Sequence, residues 1–265
     1  MPSWLIDWTA PLQNLALGAT ALALIFVPLE RAFRARSQRH FRPELRLDLA
    51  FMALQYLVVA TATLSFNALL QGELGSVLPA TVQHRVERLP PLVQVGLVVV
   101  LGDLVLYWGH RLSHSVPLLW RFHAIHHSAK QLDWVAAHRE HPLDGLYSQL
   151  CFNAPAFLLG INVALLVPVL VVRGAWAVFI HSNVRIPLGP LGLLLGDPTL
   201  HRFHHVGEPD QTANYANLAP YLDVLFGTHV RPAGEDYELG VRHPMPNTLL
   251  GCLVAPFWPG WRSPR

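Results

Sequence analysis

Charged side chains are scarce in this chain of 265 residues. Asp, Glu, Lys and Arg make up 14% of it, while 52% of the residues are hydrophobic. Soluble domains carry roughly 25% charged residues, so this composition favours a protein embedded in a bilayer. Cysteine is almost absent as well. Cys151 and Cys252 stand far apart without CxxC spacing, which argues against a cysteine metal site and against a disulfide framework.

Long apolar runs are what the chain has instead. Three runs, at residues 8–29, 49–71 and 89–109, carry no charge apart from Asp103. Each is long enough to cross a bilayer core, which takes about 20 apolar residues. No basic segment precedes the first run, so we expect a retained helix, with Trp4 and Trp8 at the interface, rather than a signal peptide.

A fourth uncharged run, residues 145–172, is too long for one helix and contains Pro155, Gly160 and Pro168. These residues predict a helical hairpin that breaks near Gly160 and returns the chain to His181. We therefore predict an all-α integral membrane bundle of about four transmembrane helices. A histidine-rich helical cap is expected on its cytoplasmic side.

The side of the membrane follows from a basic loop between the first two runs, which contains Arg31, Arg34, Arg36, Arg39, Arg42 and Arg46. The positive-inside rule places this loop in the cytoplasm. Its position between apolar runs argues against a nucleic-acid partner. The basic residues Arg111, Arg121, Lys130, Arg139, Arg185 and Arg202 are expected to anchor the protein on the same side, or to contact an anionic headgroup or an electron donor.

Eleven of the fifteen histidines lie between His110 and His205. The clusters are His110 and His114; His123, His126 and His127; His138 and His141; His181; and His201, His204 and His205. Spacing of i, i+3 or i, i+4 places ring nitrogens on one face of a helix. Because one ion takes four to six ligands, so many imidazoles predict a site for two metal ions.

The residues alone leave zinc, copper, iron and nickel open, since imidazole suits all four. No glutamate lies between His110 and His114, so the zinc-protease motif is absent. A site at the inner ends of helices can meet a lipid, and breaking an unreactive C–H bond calls for a redox metal and dioxygen. Asp103 shares a helix face with His110 and is expected either to brace a metal-bound imidazole or to pair with Arg111 or a tyrosine.

The ordered histidine segments resemble the fatty acid hydroxylase/sterol desaturase superfamily. The resemblance rests on segments 110–114, 123–127, 141–144, 181–183 and 201–205, on 103–108 before them and on 225–228 after them. It covers roughly residues 46–232. It implies an integral membrane enzyme with a histidine-bound di-iron centre that uses O2 and externally supplied electrons to hydroxylate, desaturate or oxidise a lipid.

The resemblance also implies the ligands. They are His110, His114, His123, His126, His127, His181, His201, His204 and His205, with His141 as a further ligand in an HP motif whose metal contact varies. His138 falls where similar sequences carry a residue that does not bind metal. It is expected beside the ligands, together with Asp103 and Asn183. No catalytic side chain is expected beyond the metal centre.

The sequence therefore predicts a di-iron lipid hydroxylase or desaturase, with O2 as co-substrate and zinc possible in the purified protein. Residues 1–45 are assigned to the first helix and basic loop, 46–232 to the catalytic part and 233–265 to a C-terminal tail. The expected partners are a membrane lipid and a separate electron-donor protein. A bacterial protein of this kind is expected in the inner membrane.

Three alternatives remain open at this point. All-histidine ligation permits a dinuclear zinc enzyme that hydrolyses a lipid ester or phosphate. A membrane metal transporter is disfavoured because the histidines gather at helix ends on one side rather than near the bilayer midplane. An acyl-chain desaturase of the three-box type fits the order of the histidine segments less well. The lipid substrate, its reaction and the oligomeric state are not encoded in any of these motifs.

Overall fold

The computed structural model describes residues 9–39, 41–207 and 213–258, so Trp4, Trp8 and His40 lie outside the described residues. Within those ranges the chain is helical, and its only β pairing is two isolated bridges. This confirms the all-α prediction for the described residues. The helices are α1 (Thr9–Ala32), α2 (Leu45–Leu54), α3 (Ala60–Leu74), α4 (Ala80–Glu87), α5 (Pro91–Ser115), α6 (Pro117–His126), α7 (Pro142–Leu158), α8 (Val167–His181), α9 (Gly192–Leu195), α10 (Pro198–His204), α11 (Tyr221–Leu225) and α12 (Leu249–Val254).

Three helical segments are long and apolar enough to cross a membrane: Thr9–Ala32, Pro91–Ser115 and Ala164–His181. They correspond to the first and third predicted runs and to the returning leg of the predicted hairpin. This pattern is that of a membrane protein. The second run is divided between α2 and α3 by the π-helical segment Gln55–Val59, and α7 has 17 residues. A fourth span therefore stays a prediction.

The hairpin breaks where the sequence predicts. α7 ends at Leu158, and Gly160 follows with a φ of 71°, a left-handed conformation that glycine adopts without a steric penalty. The side chain of Asn162 then accepts a hydrogen bond from the backbone N–H of Ala164, at 2.9 Å, and caps the turn that leads into α8. Because α8 runs back from this turn, its last residue is His181.

Close packing of α5 against α7 depends on two glycines seven residues apart on one face of α5. A Cβ at Gly102 would lie 2.6 Å from the carbonyl oxygen of Phe152, and one at Gly109 would lie 2.5 Å from Sγ of Cys151. A side chain at position 102 would require the helices to separate, because the contact is with backbone, and one at position 109 would require the side chain of Cys151 to move. The glycines therefore hold the histidine-bearing helix α5 directly against α7.

Gly102→Ala is expected to lower the free energy of unfolding by about 1–3 kcal/mol, because the added methyl group must displace the backbone of α7. Gly96→Ala is the matched control on the same helix, since no atom lies within 4 Å of the place that its methyl group would occupy. Alanine is the better helix former, so this control is expected to be neutral or more stable by up to about 1 kcal/mol. Unfolding midpoints in mixed micelles test both. Equal shifts of the two variants would contradict the packing argument.

A buried ionic network fixes the connection between α1 and α2 to the segment between α6 and α7. Arg42 pairs with Asp48 and with Asp133, and Nε of Arg139 lies 2.6 Å from Oδ1 of Asp48. The side chain of Asp48 is 0% exposed, and among the described residues its charge is balanced by these two arginines. Because the network surrounds the backbone that follows the second histidine cluster, it holds that cluster in place.

Candidate metal centre

Nine of the predicted ligands form two groups in the described part of the chain. Within each group the candidate ligand atoms all lie within 4.8 Å of one another. The first group contains His110, His114, His123, His127 and His204, and the second contains His126, His181, His201 and His205. They stand at or just after the C-terminal ends of α5, α6, α8 and α10, so four helix ends meet at one place.

In the first group the rings point their Nε2 atoms at one another. Nε2 of His123 lies 3.0 Å from Nε2 of His110 and 3.1 Å from Nε2 of His127, and Nε2 of His204 lies 3.1 Å from that of His110. Two nitrogens that bind one ion at about 2.1 Å and at right angles are about 3 Å apart. The donor set therefore fits a metal ion.

Hydrogen bonds on the far side of these rings decide which nitrogen is free. Nδ1 of His110 donates to the carbonyl oxygen of Tyr215, at 2.6 Å, and Nδ1 of His204 donates to the carbonyl oxygen of Ala213, at 2.7 Å. A carbonyl oxygen only accepts, so the proton of each neutral ring is on Nδ1 and both Nε2 atoms carry lone pairs. Two lone pairs facing each other at 3.1 Å require a cation between them.

The second group repeats this arrangement. Nδ1 of His126 donates to the carbonyl oxygen of Arg139, at 3.0 Å, and Nδ1 of His181 donates to that of Ala177, at 2.6 Å. The two Nε2 atoms of these rings are 3.0 Å apart. Nε2 of His201 lies 2.8 Å from Nε2 of His181 and 3.2 Å from that of His205. This second set of converging lone pairs is likewise suited to one cation.

Burial keeps five of these rings neutral. It lowers the pKa of His204 to about 3, and it lowers the pKa values of His126, His127, His201 and His205 well below the usual range, with the neighbouring imidazoles adding to the effect. A proton shared between facing rings is therefore disfavoured at pH 7, and neutral imidazole is the form that binds metal. The buried Nε2 atom of His114 has no hydrogen-bond partner among the described residues.

Asp144 contacts a candidate ligand, although sequence reasoning did not single it out. Its Oδ2 lies 2.8 Å from Nδ1 of His123, so it orients this ring and makes its other nitrogen more basic. Burial, and then the negative charge of Asp144, raises the pKa of Glu140 to about 8, so Glu140 is neutral at pH 7. The signal for Asp144 in the sequence was its position three residues after His141, in a histidine-rich segment.

His141 lies outside both groups, although the sequence suggested it as a ligand. Its Nδ1 accepts a hydrogen bond from the backbone N–H of Leu143, at 3.1 Å, and so caps the start of α7. Its Nε2 faces the carbonyl oxygen of Leu253, at 3.2 Å. Both ring nitrogens are thus engaged in other contacts in this structure, and metal binding by His141 stays a prediction.

The three residues expected beside the ligands have other contacts. Asp103 forms an ion pair with Arg173 on α8, rather than with an imidazole, Arg111 or a tyrosine. The side chain of Asn183 bonds to the backbone of Arg36, accepting from its N–H at 3.0 Å and donating to its carbonyl oxygen at 2.9 Å. Nδ1 of His138 lies 3.3 Å from the carbonyl oxygen of Val135. These three side chains therefore bond to other parts of the protein near the histidines.

Two of the arginines expected at the membrane surface are buried. Arg139 pairs with Asp48, and Arg202 pairs with Glu235 and donates to the carbonyl oxygens of Ser182 and Val184. An anchoring or headgroup-binding role for these two is therefore wrong. These arginines are next to histidines in the sequence because they stabilise the backbone that carries the candidate ligands.

Comparisons with known proteins agree with this arrangement. The family model described as fatty acid hydroxylase matches residues 95–228, about half of the chain. An ornithine lipid hydroxylase of Rhizobium tropici is 34% identical over 177 residues, which is 64% of this chain and 52% of the relative. An alkylglycerol monooxygenase of Danio rerio is 31% identical over 147 residues, which is 54% of this chain and 32% of the relative.

A very-long-chain aldehyde decarbonylase of Oryza sativa subsp. indica is 31% identical over 137 residues, 51% of each chain. The chain thus spans about a third to a half of the length of these relatives. No solved structure matches it. The region that the family model matches contains all nine grouped histidines, and the chain belongs to the fatty acid hydroxylase family.

Proposed function

We propose that this chain is a membrane-bound, O2-dependent di-iron oxidoreductase that hydroxylates or desaturates a C–H bond of a lipid. The observation that carries the proposal is the pair of buried histidine groups with converging Nε2 atoms. The two groups adjoin each other, since the ring centroids of His127 and His205 are 4.3 Å apart in a stacked arrangement. Two ions held in them would be close enough to act on one oxygen molecule.

Iron, when bound in both groups, supplies the redox chemistry with which dioxygen attacks an unreactive C–H bond. The chain's own part is to hold and orient the ligands. Nδ1 of five rings is fixed by a carbonyl oxygen or by Asp144, which leaves Nε2 of each ring aimed inward. Burial of the groups excludes water from the reacting atoms.

The position of the candidate ligands near the ends of membrane-spanning helices supports a lipid substrate. His110 and His114 lie in the last two turns of one candidate span, and His181 ends another. A chain carbon of a bilayer lipid can therefore approach the histidine groups from between the helices. Two relatives carry names that specify a lipid hydroxylase and an alkylglycerol monooxygenase, which supports the same substrate class. The site faces the cytoplasm in this proposal, where a separate protein supplies the electrons.

Metal content together with oxygen chemistry tests the proposal. The protein is purified anaerobically in detergent with iron supplied, and its metals are counted by plasma mass spectrometry. We expect about two irons per chain. We also expect, with a chemical reductant, 18O2 and a bacterial lipid extract, a lipid that gains one 18O atom or loses two hydrogens. Zinc at full occupancy, with no consumption of O2, would overturn the redox function and favour a hydrolytic enzyme.

A further inference from the structure

A surface cavity of about 330 Å³ lies beside α10. It is lined by residues of the 3-10 turn Gly189–Leu191 and of α9, by His229 and Arg231, and by Asp197, Thr199 and Leu200 at the start of α10. None of the nine grouped histidines is among its lining residues. Leu200 directly precedes His201, a member of the second group, so one short helix carries both the cavity and the candidate metal centre.

Two opposite charges line this cavity without pairing with each other. Among the described residues no ion pair joins Asp197 to Arg231, and Arg231 is exposed. Oδ1 of Asp197 accepts a hydrogen bond from the backbone N–H of Thr199, at 2.7 Å, which caps α10 and leaves Oδ2 for another donor. Nδ1 of His229 is buried and has no hydrogen-bond partner in the part of the chain that the structure describes.

The segment that contributes Leu193 to the cavity lining carries several exposed leucines. Leu191, Leu193, Leu194 and Leu195 are between 36% and 57% exposed, and they follow the end of the candidate span that finishes at His181. Exposed leucines next to a membrane-spanning helix are suited to contact with lipid chains. The cavity therefore lies at the level where polar headgroups meet the apolar layer, beside the histidine end of the bundle.

We propose that this cavity binds the zwitterionic headgroup of the lipid substrate, with its ammonium group at Asp197 and its phosphate or carboxylate at Arg231. The proposal rests on the proposed function, because it names the substrate class of that enzyme. An anionic headgroup without an ammonium group would meet the carboxylate of Asp197, and an uncharged glycerol would leave both charges unpaired. A cavity of this volume has room for a headgroup and leaves the acyl chains in the bilayer.

Binding to metal-free protein tests the cavity independently of the redox chemistry. Short-chain phosphatidylethanolamine, an amino-acid lipid with an ammonium and a carboxylate, phosphatidylglycerol and diacylglycerol are compared by native mass spectrometry. We expect the two zwitterionic lipids to bind most tightly, and their order tells whether phosphate or carboxylate is preferred. Arg231→Gln is expected to weaken their binding about tenfold or more, the effect of losing one charge-assisted contact. Asp197→Asn is expected to remove the preference over phosphatidylglycerol, while asparagine still caps α10.

Arg46→Gln and Asp236→Asn, which change exposed residues elsewhere, are the matched controls. Diacylglycerol binding as tightly as the zwitterions, or cavity variants that bind like the controls, would overturn the proposal.

In the iron-loaded enzyme, Arg231→Gln is expected to raise KM with kcat retained. An unchanged KM beside weakened binding would mean that the bound lipid is not the substrate. Loss of turnover in wild-type protein that still binds zwitterions would instead count against the proposed function.

Discussion

His201→Ala is expected to remove most of the iron from the second group and to lower lipid oxidation by at least about 1000-fold. The second group has four histidines, so the substitution leaves three ligands, and Nε2 of His181 loses the neighbouring Nε2 of His201 at 2.8 Å. His204→Ala, three residues along the same helix, leaves four ligands in the first group. We therefore expect His204→Ala to keep more iron than His201→Ala.

Iron per chain, counted by plasma mass spectrometry, and turnover of the same preparations measure this difference. His84→Ala is the control, because the ring of His84 is 70% exposed and belongs to neither group. We expect about two irons per chain in the control and close to one in His201→Ala. Full iron content and normal turnover in both α10 variants would show that these histidines are not ligands, and the di-iron assignment would fail with them.

Asp48→Ala is expected to lower the free energy of unfolding by about 3–5 kcal/mol, the usual cost of removing one partner from a buried ion pair. Asp48 has a fully buried side chain and bonds to both Arg42 and Arg139. Arg42 keeps Asp133, but the guanidinium of Arg139 is left without a carboxylate among the described residues. The carbonyl oxygen of Arg139 holds the ring of His126, so the iron content of the second group is expected to fall as well.

Unfolding in mixed micelles and metal analysis of the folded fraction provide the two readouts. Glu87→Gln is the comparison, since Glu87 pairs with His84 at the surface with both side chains at least 70% exposed. A surface pair contributes little, so this variant is expected to change the unfolding free energy by less than about 1 kcal/mol. An Asp48→Ala protein as stable as Glu87→Gln would mean that the buried network does not stabilise the fold.

Much of the fold was predictable because membrane helices depend on local composition. The apolar runs, with Asp103 as their one charged residue, indicated the candidate spans α1 and α5, and Gly160 marked the hairpin break, where a positive φ is needed. The π-helical segment Gln55–Val59 had no such signal in the sequence. The contacts of α5 with α7 at Gly102 were not predictable either, since a glycine in a helix looks the same whether or not another backbone approaches it.

The sequence by itself determined which histidines of one helix lie in the same group. The i, i+4 pairs His110 and His114, His123 and His127, and His201 and His205 each share one group, because four residues bring the chain back to the same helix face. His126 belongs to the second group, although its neighbours His123 and His127 belong to the first. His204 belongs to the first group, although its neighbours His201 and His205 belong to the second.

Only the tertiary structure decided which pairs combine in one candidate metal-binding group and which residues support them. The packing of four helix ends brings His126 to His181, 55 residues away, and directs Asp103 to Arg173 instead of a histidine. The same packing places the carbonyl oxygen of Leu253 against Nε2 of His141, at 3.2 Å, outside both histidine groups. Helical periodicity orients a side chain on its own helix, whereas its partner depends on contacts between segments that are distant in the sequence.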